Sequence, residues 1–397
     1  MKIIAYTIEP ENDQIRVENS LGLNVISDSL ELLLPFLCEE LSEPSLHITW
    51  DLDATIAPLL KLLGKERCEK LAKTNKCFYR PFSIFYIPGK VFSIKPVFRH
   101  EKTNFYDLEQ YFPDHNKPDN VFMIAEFGEQ LLEALAKMKL YPTKLTSPVA
   151  IWEQCVMNHL NLPTGFDAPE EAMEYAWYCS GKLWTEAYQI GYWEQAWDYD
   201  IVASFPSVAR DLIDIRHCKW VKANHYIMEA IYGYCKCVVT IYPETTVSPI
   251  IYIDDKGNLS TPTGTWETYL TLAELDFILK WAIGKVEMID GWWVIPLKKS
   301  KPLQIAMARL LIYKDSDDEL VRMLAKRMSV GAYGKFGEEW ADRFGKHFCP
   351  AWFSEISTQV RLQVAEWIYE NKCQDHIIHI SVDGVLLDCP VEECKNA

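Results

Sequence analysis

The chain has 397 residues, with 40 Lys plus Arg against 56 Asp plus Glu and a formal charge of −16. That length implies two or three domains, and 49% hydrophobic residues is enough to build cores, which excludes a disordered protein. Taken alone, the negative charge argues against a surface that tracks phosphate. Met1 leads directly into a strand-like run, Lys2 to Ile8, without a secretory signal pattern, and no apolar run is long enough to span a membrane. The twelve cysteines include no Cys-x-x-Cys pair. This pattern predicts reduced, mostly buried thiols in a cytoplasmic chain with no membrane partner. Along the chain, Leu46–Thr49 reads as a strand, Ala54–Leu63 as a helix, and Gly128–Lys139 as a second helix. Strands alternating with helices predict an α/β domain to about residue 145, where Tyr141-Pro142-Thr143 and Ser147-Pro148 mark a boundary. Beyond it, Tyr234–Tyr242 reads as a strand that places Cys235 and Cys237 on one face. Asp254–Asn258 reads as a hairpin turn, Leu270–Trp281 as a helix, and Ile377–Leu387 as two strands broken by Asp383-Gly384. His376 and His379 have a short metal-ligand spacing, but no second ligand cluster accompanies them in the sequence, so a metal is not expected there.

Three segments carry candidate chemistry. In Tyr199–Pro206 a lone carboxylate, Asp200, leaves a short strand and is followed by a turn ending in Pro206. Taken singly, it also reads as a capped turn. Between Tyr313 and Gly337, Ser316 and Glu319 read as a capping box that opens a helix. At about 100° per residue, Arg322, Lys326, Val330 and Tyr333 share one face, with Ser329 close by, and Leu320, Val321, Leu324 and Met328 share the other. The first face reads either as solvated or as a grip for a polyphosphate, with Tyr333 against a base or sugar. Gly334 and Gly337 end the helix and admit a second backbone. In His379–Leu387, a hairpin turn displays Asp383. In the order strand, helix, hairpin, two carboxylates flank a basic helix, as phosphoryl transfer with two Mg²⁺ requires.

With these residues in place, the sequence resembles the family B DNA polymerases, and among them the protein-primed type of phages and linear plasmids. Asp200, Phe205 and Pro206 match motif A, D-x-x-S-L-Y-P, in which Ala203 and Ser204 are substituted. Lys326, Tyr333, Gly334, Lys335 and Phe336 match motif B, K-x-x-x-N-S-x-Y-G with K-F, with Val330 and Gly331 in place of Asn-Ser. Asp383 matches the second Asp of the D-T-D motif C, whose first Asp is Ser381 here. Tyr178, Gly181, Lys182, Glu186 and Gly191 resemble the Y-x-G-G segment that contacts template. Lys314 stands where the family has a second triphosphate-binding Lys, and Arg361 follows an Ile-Ser-Thr segment resembling I-T-A-x-x-R.

The resemblance implies a mixed α/β fold. An RNase H-like exonuclease-type domain (1–145) precedes a linker and first part of a right-hand palm (146–297), helical fingers (298–337) and the remaining palm (338–397). The palm carries an antiparallel sheet. Asp200 and Asp383 would be the catalytic metal ligands, for two Mg²⁺ that Mn²⁺ can replace. Lys314, Lys326 and Arg322 would hold the triphosphate, Tyr333 the nucleotide, and Phe205 would exclude a 2′-hydroxyl. Tyr178, Gly181, Lys182 and Arg361 would contact DNA. The exonuclease motifs survive only as a remnant in Glu9, Asp53 and Glu126, with Thr7 where a metal-binding Asp is expected, so proofreading is expected to be weak or absent. The motif that follows motif C and the thumb are not seen, so the expectation is either that a second polypeptide supplies the thumb or that this is a truncated copy. Partners would be primer-template DNA and dNTP, in the cytoplasm of a virus- or phage-infected cell. The other reading is a non-catalytic polymerase-derived subunit that binds DNA or a partner polymerase. From Lys298 to Lys346 there are eleven Lys or Arg against seven Asp or Glu, so the acidic total conceals a basic fingers segment.

Overall fold

The computed structural model describes residues 2–38, 45–99, 101–254, 256–340 and 343–394. Contacts divide the chain into two compact units, one of residues 1–159 and 313–328, the other of residues 160–312 and 329–397.

The first unit contains β1 (Lys2–Glu11), β2 (Gln14–Asn19), β3 (Asn24–Ser27), α1 (Leu30–Leu37), β4 (Ser45–Thr49), α2 (Leu52–Leu63), α3 (Lys65–Thr74), β5 (Lys76–Tyr79), β6 (Phe82–Ile87), β7 (Val91–Pro96), β8 (Thr103–Asp107), α4 (Val121–Lys137) and α5 (Pro148–Cys155). Its eight strands form one mixed sheet in the order β3-β2-β1-β4-β8-β7-β6-β5. β1, β2 and β3 are antiparallel, β4 runs parallel to β1, and β8 runs parallel to β4. Central β1 is buried continuously from Ile3 to Tyr6, as a strand covered on both faces must be. Asp51 caps α2 by accepting from the Ala54 amide at 3.0 Å.

The helix expected from Gly128 starts seven residues earlier, where Asn120 accepts from the amides of Phe122 and Met123. Gly128 is a packing residue inside α4: a Cβ there would lie 2.6 Å from Ile48 and 2.9 Å from Ile3. The expected boundary at 145 also moves, to 159, because α5 is tied back to the sheet unit. Gln154 accepts from Thr143 and donates to the Lys144 carbonyl, and the Tyr111 hydroxyl donates to the Leu145 carbonyl. The expected fingers segment, 298–337, is not one body, since 313–328 groups with the first unit.

The second unit contains α6 (Glu170–Cys179), β9 (Thr185–Ala187), β10 (Trp197–Asp200), α7 (Ser204–Asp211), β11 (Cys218–Lys222), β12 (Tyr232–Ile241), β13 (Tyr252–Ile253), β14 (Leu259–Ser260), β15 (Gly264–Thr271), α8 (Leu272–Trp281) and β16 (Gly284–Pro296). α9 (Gln304–Lys314) and α10 (Glu319–Gly331) follow, each divided between the units. β17 (Glu339–Trp340), β18 (Arg343–Phe344), α11 (Pro350–Glu370), β19 (Ile377–Ser381), β20 (Gly384–Leu387) and α12 (Val391–Cys394) complete the chain. Two four-stranded antiparallel sheets dominate, β10-β20-β19-β9 and β11-β16-β12-β15. Their shared core takes Cys235, Cys237 and Val239 from β12, Phe277 and Ile278 from α8, Val364 and Ile368 from α11, and Ile380 and Val385 from the hairpin.

The twelve cysteines are in the reduced form and none is exposed. The turn after β13 forms as expected, with Asp254 accepting from the amides of Lys256 and Asn258. Two local readings change. Asp318, not Ser316, caps α10, because its carboxylate accepts from the Val321 amide while the Ser316 hydroxyl accepts from the Asp318 amide, ahead of the helix. Pro206 does not end a turn; it sits in the first turn of α7, where a missing N–H costs nothing.

Candidate active site

Asp200 ends β10, and its register partner is Gly384 of β20. The Ile201 amide donates to the Asp383 carbonyl at 2.9 Å. The two carboxylate residues thus meet at one end of the β10-β20-β19-β9 sheet, although 183 positions of chain numbering separate them. Asp200 is exposed and Asp383 half-buried. Ser381 closes the hairpin opposite Gly384 and pairs on its other side with Thr185 of β9. A Cβ on Gly384 would sit 3.3 Å from the Tyr199 carbonyl and 3.5 Å from Asp200 Oδ1, so the glycine keeps that end of the sheet narrow.

Backbone strain accompanies both carboxylates. Val382, next to Asp383, has φ 57°, and Ala203, three residues after Asp200, has φ 56°. Neither side chain favours the left-handed region, and such strain concentrates where geometry serves function. The Val382 amide is held by the Trp184 carbonyl at 2.7 Å. Left-handed Ala203 turns the chain into α7, whose first residue, Ser204, donates to Gln363 of α11 at 2.7 Å.

That turn buries Phe205, whose ring stacks on Tyr333 at 4.6 Å between centroids and 29° between planes. Tyr333 in turn stacks on Phe353 at 5.7 Å. Tyr333 lies beyond the last turn of α10, in a 3₁₀ turn over Tyr333–Phe336, so helical periodicity alone does not fix its direction. Burial raises its phenol above the ordinary value. Gly337 approaches a ring rather than a backbone: a Cβ there would be 2.5 Å from Phe353. Gly334 has open space around it.

The first unit carries the expected triphosphate-binding cations. Arg322 and Lys326 lie on the exposed face of α10, and Val321, Leu324 and Met328 on the buried face. Arg322 donates to the Ser316 carbonyl at 3.0 Å, which steadies the start of the helix. Lys314 ends α9 and is half-buried. Ser329 falls on the buried side, at 2% exposure, and leaves the basic face.

Two expected DNA contacts are corrected by burial. Lys182 is 1% exposed and donates to the Tyr269 carbonyl at 2.7 Å. Arg361, also 1% exposed, donates to the Lys182 carbonyl and to Glu274. Glu274 completes a capping box with Thr271 at the start of α8. These charges clamp α8, α11 and the turn after α6; neither reaches solvent, so neither can touch a nucleic acid directly. Tyr178 remains half-exposed and stacks on Tyr269 at 4.7 Å. Gly181 has φ 70°, so glycine is there for the turn that sends Lys182 inward.

Of Glu9, Asp53 and Glu126, the residues expected as an exonuclease remnant, Glu9 lines a cavity that the other two do not. A cavity of about 330 Å³ is lined by Thr7, Glu9, Trp50, Thr55, Lys117 and Ile124 among others. Lys117 stands 3.6 Å from Glu9 in an exposed ion pair. Asp53 and Glu126 are exposed and are not among the residues lining that cavity. Asp53 instead accepts from the Tyr86 hydroxyl and the Gly89 amide, both at 2.7 Å, and so pins the β6–β7 turn.

The sequence matches no protein-family model and no curated protein. Solved structures do match. Phi29 DNA polymerase complexed with primer-template DNA and incoming nucleotide substrates aligns with a TM-score of 0.60 over 97% of this chain and 79% of that one, at 13% identity. Its post-translocation binary complex with primer-template DNA aligns at 0.60 over 98% and 80%, again at 13% identity. Its orthorhombic crystal form aligns at 0.58 with 12% identity. The fold is therefore polymerase-like: a mixed α/β chain with a large mixed sheet and antiparallel sheets. No helix among the described residues is long and apolar enough to cross a membrane.

Proposed function

We propose that the chain is a template-directed DNA polymerase that adds dNTP to a primer 3′-hydroxyl, with palm and fingers of the family B type. The observation that carries this reading is the meeting of Asp200 and Asp383 at one sheet end, beside strained backbone. An all-oxygen pair of carboxylates, one of them exposed, fits hard divalent cations. Asp200 and Asp383 would hold two Mg²⁺, or Mn²⁺ in their place, which supply a lowered pKa at the attacking hydroxyl and charge neutralisation at the leaving pyrophosphate. Phe205, buried under Tyr333, is a rigid ring suited to excluding a 2′-hydroxyl by steric contact. Lys314, Arg322 and Lys326 keep the triphosphate-binding role that the resemblance implies, and Tyr178 and Gly181 that of contacting DNA. The strand order β3-β2-β1-β4-β8, three antiparallel strands followed by two parallel ones, supports an RNase H-like origin for the first unit. Its scattered carboxylates and the Lys117–Glu9 pair support weak or absent proofreading.

The test is primer extension by the purified chain with Mg²⁺, alone and with a thumb-bearing polypeptide supplied in trans. Asp200→Ala and Asp383→Ala are each expected to lower extension about a hundredfold or more. Extension unchanged by either substitution would overturn the site assignment. A second reading is favoured by Ser381, a hydroxyl where the family has a carboxylate: a non-catalytic, polymerase-derived subunit that binds DNA or a partner polymerase. Mn²⁺ binding that is present in the wild type and lost in Asp200→Ala decides between the two, since a subunit without catalysis has no need of that ion.

A further inference from the structure

Three cysteines and a histidine gather at the C-terminal end of the second unit, away from the turn that carries Asp383. The ligand atoms of His376, Cys389 and Cys394 all lie within 4.8 Å of one another. The Cys389 and Cys394 sulfurs are 3.5 Å apart. The Cys373 thiol, which is fully buried, lies beside that of Cys394. Two residues separate Cys373 from His376, and four separate Cys389 from Cys394. These are the short paired spacings of structural zinc sites.

We propose that Cys373, His376, Cys389 and Cys394 form a tetrahedral site for Zn²⁺ that fastens the open end of the β19–β20 hairpin. Three observations carry it. The first is distance: a tetrahedron with Zn–S bonds of about 2.3 Å has S···S edges of about 3.8 Å, close to the observed 3.5 Å and far from the ~2.05 Å of a disulfide. The second is the histidine's other partner. His376 Nδ1 lies 2.9 Å from Asp388 Oδ1, and Gln189 holds the second oxygen of Asp388 at 3.2 Å. A metal-bound imidazole characteristically keeps its second nitrogen on a carboxylate, which leaves Nε2 for the ion. Thiols packed merely as small apolar groups would need neither the imidazole nor its carboxylate.

The third is placement. Cys373 follows α11, its amide closing the helix on the Ile368 carbonyl. His376 immediately precedes β19, Cys389 lies just past β20, and Cys394 ends α12. The Asp388 amide donates to the His376 carbonyl at 3.0 Å, so the ligands bracket the last rung of the hairpin. The Tyr199 hydroxyl of β10 accepts from the Val391 amide at 3.0 Å, which ties α12 to the same sheet. A bound ion would lock α11, the hairpin and α12 at one point, and binding would release the thiol protons. His379, paired with His376 in the sequence reading, takes no part: it lies within β19, opposite Leu386 and Ala187. The linear order conceals the set, because its two halves lie on either side of the hairpin. The site stands whether or not the chain polymerises DNA.

The experiment uses the full chain. Metal content is measured by mass spectrometry after purification without chelator, and the chelated chain is then titrated with Co²⁺. The expected result is about one Zn²⁺ per chain. Co²⁺ should give thiolate-to-cobalt charge transfer in the near ultraviolet and d–d bands of tetrahedral intensity. Cys389→Ser and Cys394→Ser should abolish the bands, His376→Cys should keep them with a shift toward an all-sulfur spectrum, and His379→Gln should leave them unchanged. No thiolate–cobalt bands in the wild-type chain would overturn the proposal, a result that does not depend on any variant folding. So would thiol titration of the denatured, unreduced chain that falls two short of twelve, with Cys389 and Cys394 joined as a disulfide.

Discussion

Arg361 and Lys182 show how residue type and residue role separate. In the sequence both are cations in segments that resemble DNA-contacting motifs. In the fold both are buried, and Arg361 donates to Glu274 and to the Lys182 carbonyl. Removing one partner of such a pair leaves the other charge buried without compensation. Arg361→Ala should therefore cost about 3–5 kcal/mol of stability, read from denaturant unfolding of the second unit. The folded fraction should bind primer-template DNA as tightly as wild type. Glu355 is another buried ionisable group, lining a cavity of about 410 Å³ with Tyr232 and Gln359. Burial pushes its carboxyl up from 4.5 to about 8, and the charge of nearby Glu274 adds to the rise. The folded state thus holds the proton more tightly than the unfolded chain. This contribution to stability is complete below about pH 4.5 and is lost as the pH rises through about 8. Glu355→Gln, which cannot ionise, should flatten the fall in unfolding midpoint between those pH values; an identical slope in the variant would assign the pH dependence elsewhere.

At the scale of elements, the β19–β20 hairpin does the most with the least chain. A two-residue turn joins paired Ser381 and Gly384, and its first residue, Val382, takes a left-handed conformation that a β-branched side chain resists. Val382→Asn should relieve that strain and raise stability by about 1 kcal/mol, measured as a shift in the denaturation midpoint. An unchanged or lower midpoint would mean that contacts of the Val382 side chain outweigh the strain. Helix α4 makes the opposite case. Gly128 sits against Ile48 and Ile3 with no room for a methyl group, so Gly128→Ala should destabilise the first unit by about 1–3 kcal/mol despite alanine's better helix propensity. Hydrogen exchange of the β1 and β4 amides would report the loss.

For the whole molecule, charge sets the expectation. The basic excess of Lys298–Lys346 is partly consumed inside the fold: Lys301 pairs with Asp211 at 2.7 Å and Lys335 with Glu338 at 3.0 Å, and Arg327 is bonded to the Gln110 carbonyl. Eleven cations against seven anions leave this segment only a small positive excess beside an overall charge of −16. Binding to primer-template DNA should be weak and should fall roughly tenfold or more for a fourfold rise in salt. Fluorescence anisotropy across a salt series measures it, and an affinity indifferent to salt would show that contacts other than phosphate neutralisation hold the DNA.

Local pattern in the sequence determined much of this. The strands at Leu46–Thr49 and Tyr234–Tyr242, the Asp254 turn, the Ile377–Leu387 hairpin, whose turn falls one residue earlier than expected at Val382-Asp383, and the two faces of α10 all follow from side-chain period and turn chemistry, which act over a few residues. The order of Asp200, Lys326 and Asp383 was legible for the same reason, since each stands in a short motif. Tertiary structure decided what depends on distant segments: that Asp200 faces Gly384, that Phe205 stacks on Tyr333, that Lys182 and Arg361 are buried, that residues 313–328 group with the first unit, and that Cys373, His376, Cys389 and Cys394 converge. Burial and convergence are properties of packing between elements, and a single sequence records which residues can pair but not which ones the fold brings together.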